Sequence, residues 1–258
     1  MDSNHFQHFA PIISSLSAAE LDGSASINSK FRLISEGNIE VCYVPFEYIN
    51  LNARVVIVGI TPGRTQMINA IKEARRQLDK NADAKSALIA IKSAGAFSGA
   101  MRQNLIDLLD FVNLNRWLGI DSCVELFGNS ANLVQTASVL GNAVFIKGEN
   151  YNGSPNMTRH PLLRTQLLTH FGEVAKALPE AVFIPLGDKV AEALQFIADQ
   201  GLLDREKILE GLPHPSGANA ERIAYFLGKK DKIRLSVKTD PVKIDKAKAA
   251  IVKKMAGL

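Results

Sequence analysis

Two short apolar runs are the feature that most restricts the fold of this chain. They cover Val55–Ile60 and Ala181–Leu186, and each leads through a glycine-containing turn into a helical pattern. Runs of this length are typical of strands that are buried on both faces of a parallel sheet. Both are far shorter than the roughly 20 apolar residues of a membrane-spanning helix. We therefore expect an α/β protein in which helices connect parallel strands, with no membrane partner.

The length and composition predict one folded domain. The chain has 258 residues, of which 47% are hydrophobic, and it contains no repeat and no low-complexity linker. We predict a single domain over 1–258, with an N-terminal extension over 1–37 and a basic C-terminal helix over 228–258. Residues 38–46 alternate like an edge strand, and a short strand is expected near 207–210.

The termini and the cysteines indicate a cytoplasmic location. Residues 1–8 lack the basic segment and cleavage site of a secretory signal. Cys42 and Cys123 cannot form a disulfide framework, and two cysteines without CxxC spacing cannot hold a structural zinc or an iron–sulfur cluster unaided. We expect no metal site, and no obligate protein partner is evident.

Positive charge is concentrated at the C-terminal end. Residues 229–258 hold ten lysines and arginines against three aspartates, a net +7, whereas the whole chain carries +4, so the remainder carries −3. A basic end on a slightly acidic body suits a polyanion such as nucleic acid. A solvated basic helix is the alternative. Ile244, Ala247, Ile251 and Met255 form one helical face there, which we expect to pack on the body with the lysines outward.

Two loops follow predicted strands, where an α/β sheet usually carries its chemistry. The first is Gly59–Gly63, in which two glycines permit close approach to a ligand and Pro62 stiffens the turn. The second is His214–Asn219, in which prolines on both sides restrict the backbone of a histidine. Either loop alone is also typical of a purely structural turn.

Together and in this order, the two loops resemble the uracil-DNA glycosylase superfamily. In that family a buried strand ends in a GxNPG-like loop, and a later strand ends in HPS followed by a helix. Here the equivalents are Gly59–Gly63 and His214–Ser216. Residues 96–109 are similar to the segment that stacks an aromatic ring on the extruded base, and residues 182–194 to the family's third strand, LG turn and helix. The resemblance spans about residues 55–227.

The resemblance implies a three-layer α/β/α sandwich with a mainly parallel central sheet. Such a protein binds DNA, flips one nucleotide out of the duplex and hydrolyses its N-glycosidic bond, with no metal or organic cofactor. His214 matches the neutral donor to O2 of the leaving base, and Thr61 stands where relatives position the water. The base pocket then includes Ile60, Gly63, Phe97 and Asn150, with Phe97 stacking on the base. The DNA contacts come from Ser216, Gly217, Asn219 and Arg222, with Ala218 and Asn219 at the wedge position.

Three departures from the family pattern bear on the substrate. Thr61 is neither a carboxylate nor an amide, and Ile60 fills a position where another branch carries Glu. Gly63 replaces the bulky residue that blocks a 5-substituent in strict uracil enzymes, and residues 64–96 form a long helical insertion. These features favour a roomier pocket and a modified pyrimidine. One candidate is the glucosylated hydroxymethylcytosine that antiviral members of the superfamily remove.

Several hypotheses about the base-reading residue and the function stay open at this point. The residue that reads the base edge is Asn150 or one of Thr136, Ser138 and Asn152, and the two asparagines also suit a turn. The chain is a glycosylase for a modified base, a uracil-DNA glycosylase proper, or a catalytically silent DNA-binding module of the same fold. A fourth hypothesis is a small-molecule enzyme that uses the two loops to bind a phosphate or nucleotide. Its affinity for that ligand would depend little on salt concentration.

Overall fold

The chain folds as a mixed α/β protein. The computed structural model describes residues 4–22, 27–95 and 99–258. Backbone contacts divide the chain into two compact units, each built from non-contiguous segments. Unit 1 comprises Met1–Ile49, Ile60–Ala96 and Ser138–Phe171, and unit 2 comprises Asn50–Gly59, Phe97–Ala137 and Gly172–Leu258. The expectation of a single domain stays a prediction.

Eleven helices and seven strands occur in the described residues. The strands are β1 (Arg32–Glu36), β2 (Ile39–Cys42), β3 (Val55–Gly59), β4 (Val134–Ser138), β5 (Ala143–Ile146), β6 (Glu149–Asn150) and β7 (Val182–Pro185). The helices are α1 (Asn4–Ser15), α2 (Ala18–Leu21), α3 (Ile27–Phe31), α4 (Arg64–Asp79), α5 (Ala84–Gly95), α6 (Gly99–Phe111), α7 (Leu114–Leu118), α8 (Pro161–Ala177), α9 (Asp188–Asp199), α10 (Ala220–Phe226) and α11 (Pro241–Met255).

Unit 2 contains the predicted parallel sheet. Its strand order is β4-β3-β7, and β3 pairs with β7 in parallel register, with Val55 opposite Val182. Both apolar runs therefore form adjacent buried strands, as predicted. The strand expected near 207–210 is absent: a 3₁₀ turn occupies Arg205–Lys207, and Ile208 makes a single bridge to Phe183.

Unit 1 contains a second sheet that the sequence analysis did not predict. It is antiparallel, with strand order β1-β2-β5-β6. The segment expected to be an edge strand is β2, which lies between β1 and β5, so that expectation was wrong. β1 was missed because its residues are largely exposed and polar. The Gly37-Asn38 pair between β1 and β2 is a hairpin signal that identifies it, with Gly37 at φ +56°.

The N-terminal segment is part of the core of unit 1. Phe6, Phe9 and Ile13 of α1 are buried with residues of α4, α5 and β5. Stacked rings reinforce this packing, since the Phe9 and Tyr43 ring centres are 4.2 Å apart. Helix α1 thus forms by burying one amphipathic face, as its apolar spacing predicts.

The C-terminal helix is shorter than predicted and packs on unit 2. α11 begins at Pro241 rather than at residue 228, and Asp240 caps it by accepting a hydrogen bond from the Lys243 amide. Ile251 and Met255 are buried in the core of unit 2, as predicted. One lysine does not point outward: the Lys248 ammonium lies 4.3 Å from the centre of the Phe111 ring.

Candidate functional site

The first loop, Ile60–Gly63 in unit 1, is tied to β5 through Thr61. The Thr61 hydroxyl donates to the carbonyl oxygen of Asn142 at 2.8 Å. It accepts a hydrogen bond from the Val144 amide at 3.1 Å. The hydroxyl proton is therefore already engaged, and one lone pair is left on the oxygen. In this arrangement Thr61 can orient a water only by accepting a hydrogen bond, and it cannot act as a base.

Gly63 and Asn150, both predicted to bind the base, lie against each other in unit 1. A Cβ atom at Gly63 would be 3.6 Å from the Asn150 amide nitrogen. The Asn150 side-chain oxygen accepts a hydrogen bond from the Arg64 amide, at the start of α4, at 2.9 Å. Asn150 is exposed, and its Nδ2 group has no hydrogen-bond partner among the residues described. That amide nitrogen is free to donate to a ligand.

Gln66 joins the first loop to the end of α5. Its side-chain oxygen accepts from the Gly63 amide at 3.0 Å, and its amide nitrogen donates to the Gly95 carbonyl at 3.2 Å. Gly95 is also packed under Phe46, because a Cβ there would be 2.2 Å from Cζ of that ring. Gly95 ends the described part of this segment. The predicted stacking residue Phe97 lies outside the described residues.

A cluster of titratable side chains in unit 1 escaped the sequence analysis. The Lys92 ammonium donates to the Phe46 carbonyl at 3.2 Å and lies 5.0 Å from the centre of the Phe46 ring. Burial lowers the pKa of Lys92 to about 8. Burial also raises the pKa of Glu47, which accepts a hydrogen bond from the Tyr43 hydroxyl at 2.6 Å. The second Glu47 oxygen is buried and has no partner within the described part of the chain.

His170 completes this cluster and packs directly on Gly141. A Cβ at Gly141 would lie 1.9 Å from His170 Nε2, so only glycine leaves room for the ring. Burial, together with repulsion from Lys92, lowers the pKa of His170 to about 4. The imidazole is therefore neutral at physiological pH. The His170 ring therefore has a packing role in unit 1.

The lowered pKa of His170 predicts an acid-sensitive unit 1. An unfolded histidine titrates near 6.5, so the unfolded chain binds the extra proton first as the pH falls, and the folded state loses stability between pH 6.5 and about 4. Between pH 7.5 and pH 4.5, we expect the free energy of unfolding to fall by about 2–3 kcal/mol less in His170→Gln than in the unaltered protein. Urea unfolding followed by circular dichroism at the two pH values measures it.

A matched control is available on α1. His8 is exposed, and His8→Gln should leave the difference in unfolding free energy between the two pH values unchanged. Equal acid sensitivity of His170→Gln and the unaltered protein would show that His170 is not the responsible group.

The second loop, in unit 2, holds His214 in a defined tautomer. The Ser216 amide donates to His214 Nδ1 at 3.2 Å. Because Nδ1 accepts, the neutral ring carries its proton on Nε2. Burial lowers the pKa of His214, so the neutral form predominates at pH 7. His214 is thus prepared to donate one hydrogen bond through Nε2 without carrying a charge.

Two residues that the sequence analysis did not assign hold this loop in place. The Asn104 side chain on α6 donates to the Pro215 carbonyl at 2.9 Å. Gly187, at φ +90°, packs against the His214 Cβ, since a Cβ on that glycine would lie 3.4 Å away. Asn104 follows the predicted stacking segment, and Gly187 belongs to the LG turn after β7. Both lie in segments of the resemblance and were recognisable there.

Three of the four predicted DNA-contact residues, Ser216, Asn219 and Arg222, form one hydrogen-bonded chain in unit 2. The Asn219 side-chain nitrogen donates to the Ser216 hydroxyl at 3.3 Å, and its oxygen accepts from Arg222 at 3.0 Å. Arg222 also donates to the carbonyl of Lys238 at 3.2 Å. Gly217 is exposed, and no atom lies within 4 Å of the position that its Cβ would take. The loop therefore presents an open, polar surface.

The remaining candidates lie on β4, in the first loop and after β6. Thr136 and Ser138 are half-buried on β4, and Asn152 is exposed in the loop after β6. Ile60 is half-buried, and its carbonyl accepts a hydrogen bond from the Leu140 amide at 3.0 Å. No three metal-ligating side chains lie together in the described ranges. Within those ranges, too, no helix is both long and apolar enough to cross a bilayer.

The fold defines the class of this protein as mixed α/β, with a parallel sheet in unit 2. Among curated proteins the chain matches the uncharacterized protein YoxB of Bacillus subtilis (strain 168). The two are 35% identical over 241 residues, which are 92% of this chain and 91% of YoxB. The chain therefore belongs to the YoxB family. No family model matches it, and no solved structure gives a significant match.

Proposed function

We propose that this protein is a DNA glycosylase of the uracil-DNA glycosylase superfamily, which flips a modified pyrimidine out of DNA and hydrolyses its N-glycosidic bond. The observation that carries the proposal is the state of His214. Its ring is neutral, its tautomer is set by the Ser216 amide, and Nε2 is the donating nitrogen. That state is what the leaving base requires at its O2 oxygen.

The chemistry depends on charge that develops during bond cleavage. As the glycosidic bond breaks, the base gains negative charge and the sugar becomes cationic. A donor that is already oriented stabilises the developing anion without reorganisation. His214 supplies that donor. The water that adds to the cationic sugar releases one proton, and the departed base anion takes that proton up, so the products are the free base and an abasic sugar.

The resemblance to the superfamily also includes its three-layer α/β/α sandwich, which we propose for this chain. What supports it is the parallel sheet of unit 2, with α9 directly after β7. The DNA contacts that we propose for Ser216, Gly217, Asn219 and Arg222 are supported by the open surface of the second loop. Lys and Arg residues of 229–258 add favourable electrostatic interaction with phosphates.

A bulky substituent on the base is supported by Gly63 and Asn150. The absence of a side chain at Gly63 leaves space next to the free Nδ2 group of Asn150. A larger residue at position 63 would fill that space. We therefore propose a 5-substituted pyrimidine, such as glucosylated hydroxymethylcytosine, in preference to uracil.

The direct test is release of a free base. The purified protein is incubated with duplex oligonucleotides that contain uracil, hypoxanthine or glucosylated hydroxymethylcytosine. Mass spectrometry then detects the free base, and alkali treatment reveals the abasic sites. We expect release of the modified cytosine. Base release confined to uracil would overturn the proposed substrate. No base release from any of these DNAs would overturn the proposed glycosylase activity.

The second candidate is a DNA-binding module without catalytic activity. The engaged hydroxyl of Thr61 favours it, because the loop holds no group able to deprotonate water. A silent module binds the same oligonucleotides with unchanged affinity over hours and releases nothing. Parallel measurements of binding and base release on the same samples separate the two functions.

A further inference from the structure

The two most exposed large hydrophobic side chains of the described residues lie on one loop of unit 2. Ile233 is 91% exposed and Val237 is 105% exposed, whereas the next, Leu51, is 72% exposed. Both belong to residues 229–240, between α10 and α11, here called the basic loop. A single exposed aliphatic residue needs no explanation. Two at the limit of exposure on the same loop indicate a surface that is covered when a partner binds.

The basic loop is held in a fixed shape by Glu221 of α10. One Glu221 oxygen accepts hydrogen bonds from the Lys230 ammonium at 2.7 Å and the Ser236 amide at 3.1 Å. The other accepts from the hydroxyls of Ser236 at 2.6 Å and Thr239 at 2.5 Å. These contacts hold the pKa of Glu221 far below its usual range. Ile233 lies in the middle of a 3₁₀ turn over Lys232–Arg234, so the loop projects it outward.

Positive charge surrounds the two aliphatic side chains. Lys232, Arg234 and Lys238 are all exposed. Lys232 and Lys238 have no carboxylate within 4.0 Å among the residues that the structure describes, and Arg234 is 3.9 Å from Asp231. The surface thus combines an apolar tip with cationic flanks. This combination matches duplex DNA, in which phosphates border a groove floored by stacked bases.

The basic loop is joined directly to the predicted DNA-contact loop. The Arg222 guanidinium donates to the Lys238 carbonyl on one side and to the Asn219 side chain on the other. Both loops belong to unit 2, and this shared arginine connects them through hydrogen bonds. A nucleic acid held at Ser216–Asn219 therefore has the basic loop as a neighbour.

We propose that the basic loop is an apolar wedge for duplex DNA, in which Ile233 and Val237 press into the minor groove between base steps while Lys232, Arg234 and Lys238 contact the phosphates on either side. The inference rests on the proposed function for its choice of DNA. An anionic membrane is the less suitable partner, because membrane-surface binding usually requires a long amphipathic helix with a broad apolar face. Two aliphatic side chains on a short, fixed turn present little area to a bilayer.

The test compares two double variants in DNA binding. Ile233→Ser with Val237→Ser should weaken duplex affinity at least tenfold, because burial of even one aliphatic side chain corresponds to a change of about tenfold. The dependence of affinity on salt should stay the same. Lys232→Gln with Lys238→Gln should instead reduce the slope of log affinity against log salt by about 1.8, at about 0.9 for each phosphate contact. Fluorescence anisotropy from 50 to 200 mM salt measures both.

A control and a second readout make the wedge specific. Leu51→Ser removes another exposed aliphatic side chain of unit 2 and should leave affinity unchanged. A 2-aminopurine placed in the duplex should brighten on binding of the unaltered protein, since unstacking relieves its quenching. It should brighten much less with the Ile233 and Val237 double variant.

The outcomes separate this inference from the proposed function. Base release together with unchanged DNA affinity of the Ile233 and Val237 double variant overturns the wedge and leaves the glycosylase intact. DNA binding that depends on Ile233 and Val237, with no base release, supports the wedge and overturns the glycosylase. Failure to bind duplex DNA, with sedimentation on phosphatidylserine vesicles that the double variant loses, overturns the wedge in favour of a membrane surface.

Discussion

Replacement of His214 by alanine is expected to lower the rate of base excision about 100- to 1,000-fold. Loss of one oriented donor to a developing anion has an effect of this size. Binding of DNA should change little, because the imidazole is expected to act on the base as it leaves. Single-turnover release of the free base measures the rate, and anisotropy measures binding. Near-normal turnover in this variant would remove His214 from the mechanism.

The pH dependence and a control histidine sharpen this test. Burial lowers the pKa of His214 below its usual value, so the neutral ring predominates at pH 7.5 and above, and the excision rate should be level from pH 7.5 to 8.5. Protonation of Nδ1 at lower pH breaks the hydrogen bond from the Ser216 amide, and the rate should then fall. His8→Ala, at an exposed position of α1, should leave the profile unchanged.

Replacement of Gly211 by alanine is expected to destabilise unit 2 by about 3 kcal/mol. Gly211 has φ +125°, a conformation that costs other residues about 1–3 kcal/mol. A Cβ there would also lie 2.8 Å from the Ala247 carbonyl oxygen of α11. That atom belongs to a helix backbone and cannot rotate away, so overpacking adds to the strain. Gly211 precedes His214 by three residues, and therefore the second loop should loosen as well.

The single tryptophan reports on this effect. Trp117 packs against the core of unit 2, so its fluorescence during urea unfolding follows that unit. Gly217→Ala is the matched control in the same unit, because no atom lies within 4 Å of its Cβ position. An unchanged urea midpoint for Gly211→Ala would mean that α11 does not press on the second loop as described.

The elements of the chain were largely readable from local pattern. β3 and β7 were predicted from apolar runs, and the buried face of α11 was predicted from the helical spacing of Ile251 and Met255. The predictions of secondary structure failed where the local sequence pattern was weak. β1 is polar and exposed, and its strand character depends on pairing with β2 across the Gly37-Asn38 turn. The region near 207–210 has strand-like composition but makes only one bridge.

The sequence predicted which residue types form the candidate site, but it did not predict their protonation or hydrogen-bonding states. The sequence placed a histidine in a constrained loop, yet its tautomer depends on the amide of Ser216 in the folded loop. Thr61 was expected to orient water, and its hydroxyl is engaged by residues 81 and 83 positions away. Lys92 was overlooked although it occupies the apolar stripe of α5 with Leu88 and Ile91, a position at which a lysine signals burial.

Local order along the chain thus determined β3, β7 and the apolar face of α11, because apolar runs and periodicity act over a few residues. The tertiary structure decided which groups are charged, which hydroxyls are free and which glycines are indispensable. Gly211 is an ordinary loop residue in the sequence, and only the approach of Ala247 gives it its importance. Burial and hydrogen-bond partners come from residues far apart in the chain, and these partners meet only after folding.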